Sequence, residues 1–525
     1  MNSTNQKQKS NHGVLAILIW CMSGMVGLSS CGLGSPSYIE TTDKTASLVI
    51  ISGLSMDIYQ EELAGGSLMN IGAFAEEAVQ VNQGVSSFPS VHGYDHYPFI
   101  TGMHAYESAI YGNQWYDRSR KRNNVRNYDG KEGYEVINQE ISRSFKTLYE
   151  FTDQFYTSSV NCIPNRGVHD PAVTKPQAGS YYEEVSATID LSIAQLIDNP
   201  KVQGITISAL AEYGLKHGKD EEYRKLLIHI DREIGRFLTA ADSSGQADRL
   251  IAIVSDHGIQ EATTYLPMTE FAKKYIKLDL YDHSDLRFDE KITEEQAYLD
   301  KDGYILFNGN QSAYWYMAKQ EVADKSRWGQ KLVGNQLMQY KKDGSIADVA
   351  GFGTKIKGID LVAFQFEDLT VGVGREKTKA VISKNPDNTY NYYPAGGDPL
   401  MLGSVDFPLI KLTMEEIENM SLGKRYPMAL PLIYELMTQP GSPDVMMTAL
   451  PGYSFYPEDQ GMKGGTGSLT ATSTIVPYLI KIPGTGPASI DVATSADIGV
   501  TIMEYLEVQT GYPLSGESIL KGLRE

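Results

Sequence analysis

The sequence predicts an α/β protein, a doubly wound and mostly parallel sheet flanked by helices, with an inserted α+β cap. Three observations carry this. First, Ser47-Leu-Val-Ile-Ile51 is a β-branched apolar run ending in Ser52-Gly53, the pattern of a strand buried on both faces. Second, two similar runs, Val202 to Ala209 and Leu250-Ile-Ala-Ile-Val254, are separated by a segment whose apolar residues fall at 223, 226, 227, 230, 234, 237 and 238. That is helical spacing with one buried face, and strand, helix, strand in this order implies a right-handed parallel crossover. Third, after residue 265 the texture changes to short alternating segments such as Ser312-Ala-Tyr-Trp-Tyr316 and turn signals such as Lys301-Asp-Gly303. In a parallel sheet ligands collect beyond the C-terminal ends of the strands, which places Ser52, Ala211 and Asp256 at the expected site.

The elements follow in chain order. Lys7 and Lys9 precede an uncharged apolar stretch from Val14 to Leu28 that is too short to span a bilayer, so residues 1–30 read as a secretion signal. Its end, Leu28-Ser-Ser-Cys31, resembles that of bacterial lipoproteins; the plainer reading is an ordinary signal with a chance cysteine. The resemblance implies lipidation at Cys31, so that the membrane itself is a partner, and Gly32 implies export to the outer membrane, on its periplasmic or surface face. Each buried acyl methylene contributes about 0.8 kcal/mol, so two or three chains anchor the protein firmly. Cys21 leaves with the signal and Cys31 is acylated, which leaves Cys162 without a disulfide partner. Residues 31–46 form a tether. Residues 47–265 and 440–525 form the core, its doubly wound pattern returning at Asp444-Val-Met-Met447 and Ile475 to Ile482, and residues 266–439 form the cap.

Composition narrows the function. The chain has 525 residues, 42% hydrophobic and 21% charged, with a mean hydropathy of -0.28, which excludes a disordered tail and a multi-span membrane protein. Its net charge of -19 repels phosphate backbones and sets nucleic acid aside as a partner.

Several segments, in one order, resemble the alkaline phosphatase superfamily, specifically its type I phosphodiesterase and nucleotide pyrophosphatase branch. They include Ile50-Ile-Ser-Gly-Leu54, Phe88-Pro-Ser90, Ile100-Thr-Gly102, Gly112-Asn-Gln-Trp-Tyr-Asp117, Ser255-Asp-His-Gly258 and Gly397-Asp-Pro-Leu400. Pro451-Gly-Tyr453, Gly467-Ser468, Val476-Pro477 and Gly516-Glu-Ser-Ile-Leu520 complete the set, over residues 47 to 525. The resemblance implies phosphate- or sulfate-ester hydrolysis by two metal ions, usually zinc, ~4 Å apart, held by three aspartates and three histidines around a Thr or Ser nucleophile.

Carried over position by position, most of that machinery is replaced. The first ligand position is Ser52, the next pair falls on Ala211 and Leu215, and the last is Thr466. Asp256 and His257 remain, and the nucleophile position is His92. The family arginine that clamps a phosphate oxygen corresponds to Arg166, an anion contact, although the lysine before it is Pro164. Accelerating phosphate-ester hydrolysis can require about 20 kcal/mol of transition-state stabilisation, which two adjacent ligands cannot supply. The expectation is therefore a membrane-anchored pseudoenzyme without cofactor, serving as a binding or scaffold protein with a protein or glycan partner.

The enzymatic alternative is a hydrolase with a rearranged, zinc-bearing site using Asp256, His257 and His92; Glu212 and His217 lie one and two positions from the lost ligands, and His92 with Asp95 and His96 could make a different metal site or a phosphohistidine. It requires His92, His96, Asp256 and His257 to converge; otherwise His92 and His96 are helix-start histidines satisfied by solvent or backbone. The 33 tyrosines, clustered as Tyr111-Trp115-Tyr116, Tyr181-Tyr182, Tyr314-Trp315-Tyr316 and Tyr390-Tyr392-Tyr393, are mostly core, with some expected to be exposed for partner binding. The basic run Arg118-Ser-Arg-Lys-Arg122 reads as a solvated face that could attract anions.

Overall fold

The computed structural model describes residues 38–39, 43–119, 125–128, 130–174, 180–245, 248–282, 300–322, 325–457 and 461–523. The signal, Cys31, most of the tether and residues 120–122 of the basic run lie outside the described residues.

The core sheet has eight strands in the order Ala488–Thr494, Val79–Val85, Ile475–Lys481, Arg249–Val254, Thr45–Ile51, Val202–Ile207, Thr157–Val160 and Asp170–Ala172. Neighbours pair in parallel except around Ile475–Lys481, which is antiparallel to both of its neighbours. The apolar runs alternate between the two faces, as the two-residue period of a strand dictates. Val49, Ile51, Ile205, Ile207, Ile251 and Ile253 enter one buried cluster, and Leu48, Ile50, Leu250, Ala252 and Val254 enter another.

A helix covers each face. Glu221–Ser243 lays Tyr223, Leu226, Leu227, Ile230, Ile234 and Phe237 on the first cluster, the stripe that its spacing predicts. Its start is fixed by Asp220, whose side chain accepts from the backbone N–H of Glu222 at 3.1 Å and of Tyr223 at 3.0 Å. Ser495–Tyr505 puts Ile498 and Ile502 on the second cluster. The strand read as Val202 to Ala209 stops at Ile207 because the helix Ala209–His217 begins there.

A second sheet has nine strands, running from Leu280–Asp282 at one edge to Leu409–Leu412 at the other, antiparallel except for its first pair. It takes in Val445–Ala449, between Ser312–Met317 and Ile359–Gln365. The return of the doubly wound pattern at Asp444-Val-Met-Met447 is therefore corrected: a fully buried strand reads alike in either sheet, and periodicity does not say which sheet it joins. The aromatic clusters also differ from a binding face. Tyr314, Trp315, Tyr316, Tyr116 and Tyr392 are fully buried, and Tyr393 alone of its trio is exposed. Cys162 is a buried free thiol.

Candidate metal centre

The loops after the central strands bring the site together. Ser52 and Gly53 follow Thr45–Ile51, and Ser255 to Gly258 follow Arg249–Val254. His92 stands in the turn before the helix His96–Thr101, whose first residue is His96, with Gly93 at φ +86 between them. Their centroids are 4.6 Å apart, edge to face.

Asp256 is the hub. Its Oδ1 accepts from the backbone N–H of Gly53 at 3.1 Å and of His257 at 2.8 Å, which fixes the carboxylate plane. Its Oδ2 faces His96 Nε2 at 2.7 Å, the Ser52 hydroxyl at 2.8 Å and His92 Nδ1 at 3.5 Å. The Ser52 Oγ also lies 3.0 Å from His92 Nδ1 and 3.4 Å from His257 Nε2. The ligand atoms of His92, His96 and Asp256 all fall within 4.8 Å of one another.

The tautomers are constrained from outside. His96 Nδ1 lies 3.1 Å from the Ile163 carbonyl and His257 Nδ1 lies 3.2 Å from the Gly258 carbonyl. A carbonyl only accepts, so each Nδ1 carries a proton and each Nε2 is the nitrogen turned toward Asp256 and Ser52. Metal-ligating histidines characteristically donate their second N–H to a backbone carbonyl in this way. Burial pushes the pKa values of both rings below the ordinary histidine value, against the opposing pull of Asp256. For Asp256, burial acts upward but is outweighed by charge interaction with His257 and hydrogen bonds with His92 and His96, so the carboxyl is held well below the usual range. A ring with its single proton on Nδ1 would face the buried carboxylate with a lone pair at 2.7 Å, an arrangement that a shared cation would relieve.

A family model described as type I phosphodiesterase / nucleotide pyrophosphatase matches residues 48–397. The chain belongs to that family. Human ectonucleotide pyrophosphatase/phosphodiesterase 5 superposes with a TM-score of 0.53 at 13% identity, covering 90% of this chain and 97% of that one. The murine protein, in a form described as inactive and in complex with AMP, gives 0.52 at 12% identity with the same coverages. At these identities the likeness establishes the fold. No curated protein sequence matches.

Among the described residues of this phosphodiesterase family member, His92, His96 and Asp256 fit one cation, and the positions carried over for further ligands do not fit a second. Ala211 is buried against Gly53, Leu215 sits half-buried on the same helix, and Thr466 is buried with its N–H on Asn310 Oδ1 at 3.1 Å. None of these three side chains offers an imidazole or carboxylate. Arg166 is committed elsewhere: its guanidinium donates to the carbonyls of Ile141 at 2.7 Å and Phe145 at 2.6 Å and to Glu150 Oε2 at 2.8 Å. Glu212 is exposed, and His217 packs on Tyr213 with centroids 4.6 Å apart. Arg118 pairs with buried Asp444 at 2.8 Å, so that end of the basic run is structural.

The convergence of His92, His96, Asp256 and His257 overturns the reading of His92 and His96 as histidines satisfied by solvent or backbone alone. One role was not legible: Ser52 reads as a lost ligand, yet its hydroxyl touches three members of the cluster. His96, which the rearranged-site alternative required to converge, supplies the shortest contact of all. The His-x-x-x-His spacing at 92 and 96 was the available signal.

Proposed function

We propose that this phosphodiesterase-family protein holds a single divalent cation, zinc by its donor set, between His92, His96 and Asp256, and uses it to bind a phosphate or sulfate ester without the two-metal hydrolysis that the family resemblance implies. The supporting observation is the convergence of two imidazole nitrogens and one carboxylate oxygen within 4.8 Å, with the Ile163 carbonyl holding the other ring nitrogen of His96. A cation bound there supplies a Lewis-acid contact to an ester oxygen. The chain's own groups do the rest. Gly53 and His257 N–H groups hold the carboxylate, Asn113 Nδ2 donates to the His92 carbonyl at 2.8 Å, and His92, with its side chain 27% exposed, is the face open to a ligand. The sequence signature ending at Cys31 supports placing this activity at a membrane face, lipid-anchored and exported to the outer membrane.

Zinc titration of the metal-free protein, followed by calorimetry and elemental analysis, tests this reading. One ion per chain is expected, lost in Asp256→Asn, with AMP or inorganic phosphate binding only in its presence. Two ions per chain, or none, overturn the proposal. Turnover of an aryl phosphodiester that is abolished by Asp256→Asn would replace it with the rearranged-site hydrolase.

A further inference from the structure

One hairpin turn of the second sheet, residues 308–311 between Gly303–Phe307 and Ser312–Met317, is buried instead of standing in solvent. Asn308 and Gln311 are 0% exposed and Asn310 is 2% exposed. Turns ordinarily lie at the surface, where water satisfies their polar groups. This one spends its side chains on the backbone of other segments. Asn308 Oδ1 accepts from the Gln114 N–H at 2.9 Å, and its Nδ2 donates to the Gln114 carbonyl at 2.9 Å. Asn310 Oδ1 accepts from the Thr466 N–H at 3.1 Å, and its Nδ2 donates to the Gly464 carbonyl at 2.9 Å. Each carboxamide presents one donor and one acceptor, as the backbone of a neighbouring strand would.

Both segments held in this way lead to His92. Asn113, one residue before Gln114, donates its Nδ2 to the His92 carbonyl at 2.8 Å. Gly467, next to Thr466, donates its N–H to the Ser90 carbonyl at 3.0 Å, and the Ser90 hydroxyl donates to the Ser468 carbonyl at 2.9 Å, two residues before His92. The fit is close on both sides of the turn: a Cβ at Gly112 would lie 2.3 Å from Asn308 Oδ1, and one at Gly467 would lie 2.0 Å from the Asn308 carbonyl oxygen. Both glycines belong to motifs that carry the family resemblance, so the contact with Asn308 gives a physical reason for them. The placement of His92 matters most of the three candidate ligands. The side chains of His96 and Asp256 are 0% exposed, and the Ile163 carbonyl and the Gly53 and His257 N–H groups hold them, whereas the His92 side chain is 27% exposed.

We propose that Asn308 and Asn310 are positioning residues for His92: through Asn113 and Ser90 they fix its backbone so that Nδ1 stays beside Ser52 and Asp256, and they thereby couple the second sheet to the candidate metal centre. That His92 then ligates a cation rests on the single-cation reading above; its placement by the turn does not.

The test compares Asn308→Ala and Asn310→Ala with the unaltered full chain. In metal-free protein, modification of His92 by diethyl pyrocarbonate is read by peptide mass spectrometry, with His229, which bonds Ser186 and the Tyr182 carbonyl away from the site, as internal reference. The His92 rate is expected to rise at least about 3-fold in both variants, because the loop that carries it opens more often. Zinc affinity, measured by competition with a chromophoric chelator, is expected to fall about 10-fold or more in the same variants. Asn385→Ala controls for ordinary loss of stability, since Asn385 bonds Thr389 and Asn391 at another turn of the same sheet, and it should leave both readouts unchanged. If Asn308→Ala does not fold, Asn310→Ala decides. The proposal is overturned if the His92 rate in a folded variant matches that of the unaltered protein, or if Asn385→Ala raises it as far. Failure of zinc to bind the unaltered chain defeats the single-cation reading, and the His92 rate still decides the role of the turn.

Discussion

Asp256 Oδ2 stands 2.7 Å from His96 Nε2, on the side of the ring opposite the nitrogen that the Ile163 carbonyl occupies. The ring's two nitrogens meet two acceptors, so a singly protonated ring would leave this contact short of a positive charge. A divalent ion would supply it.

Ser52→Asp would put a second carboxylate where the serine hydroxyl now lies 2.8 Å from Asp256. Without metal, the uncompensated buried charge is expected to cost about 3–5 kcal/mol. With zinc the loss should be largely recovered, since an added acidic ligand strengthens the site. Urea denaturation with and without zinc measures both; a variant as stable as the unaltered protein when metal-free shows that the cluster carries no such deficit.

His257 gives a pH dependence. Burial lowers its folded pKa below the unfolded value of about 6.5, so the unfolded chain takes up its proton first as pH falls. Its contribution is therefore fully present above about pH 6.5 and lost as the pH drops through the window between the unfolded and the folded pKa. In metal-free protein the fall in stability from pH 7 to 5 should be shallower for His257→Gln than for the unaltered chain. Equal slopes in the two proteins would mean that His257 is not held neutral.

Much of this was legible because burial leaves a periodic trace. The runs at 47–51 and 250–254 and the stripe from 223 to 238 announce a sheet covered on both faces, and both surviving ligands follow directly from one of those strands. The strand Val445–Ala449 was assigned to the wrong sheet because all five of its residues are buried, and a run without a polar face carries no information about its neighbours. The site was half legible. Motif comparison locates Asp256, His257 and the vacated positions, but the capture of Asp256 by His92 and His96 depends on two loops, 160 residues apart for His96, meeting in space. No local pattern encodes that meeting. Arg166 illustrates the converse: its position fits an anion clamp, and its guanidinium is instead consumed by the turn it organises.

The long helix that backs the site is expected to depend on its cap. Asp220→Ala removes the acceptor for two orphan N–H groups at the start of Glu221–Ser243, at a cost of about 0.5–2 kcal/mol. Asp220→Asn keeps the acceptor and should recover most of it. Chemical denaturation of the two variants decides this, and equal losses would show that the charge rather than the capping bond matters.

Gly53→Ala tests whether the backbone holds the metal centre in shape. Gly53 has φ +82, and a Cβ there would lie 2.7 Å from Ala211 Cα and 2.8 Å from Ala211 Cβ. The substitution is penalised by the left-handed backbone and again by contact with a helix that must move. Gly245, with φ +72 and nothing within 4 Å of an added Cβ, isolates the first penalty. Gly245→Ala should therefore cost about 1–2 kcal/mol and leave zinc affinity alone. Gly53→Ala should cost more, and it should also weaken zinc binding about 10–100-fold without touching a ligand, because the Gly53 N–H that orients Asp256 Oδ1 at 3.1 Å is displaced. If the two variants bind zinc equally well, the backbone at Gly53 does not position the carboxylate, and the orientation must come from His257 N–H alone.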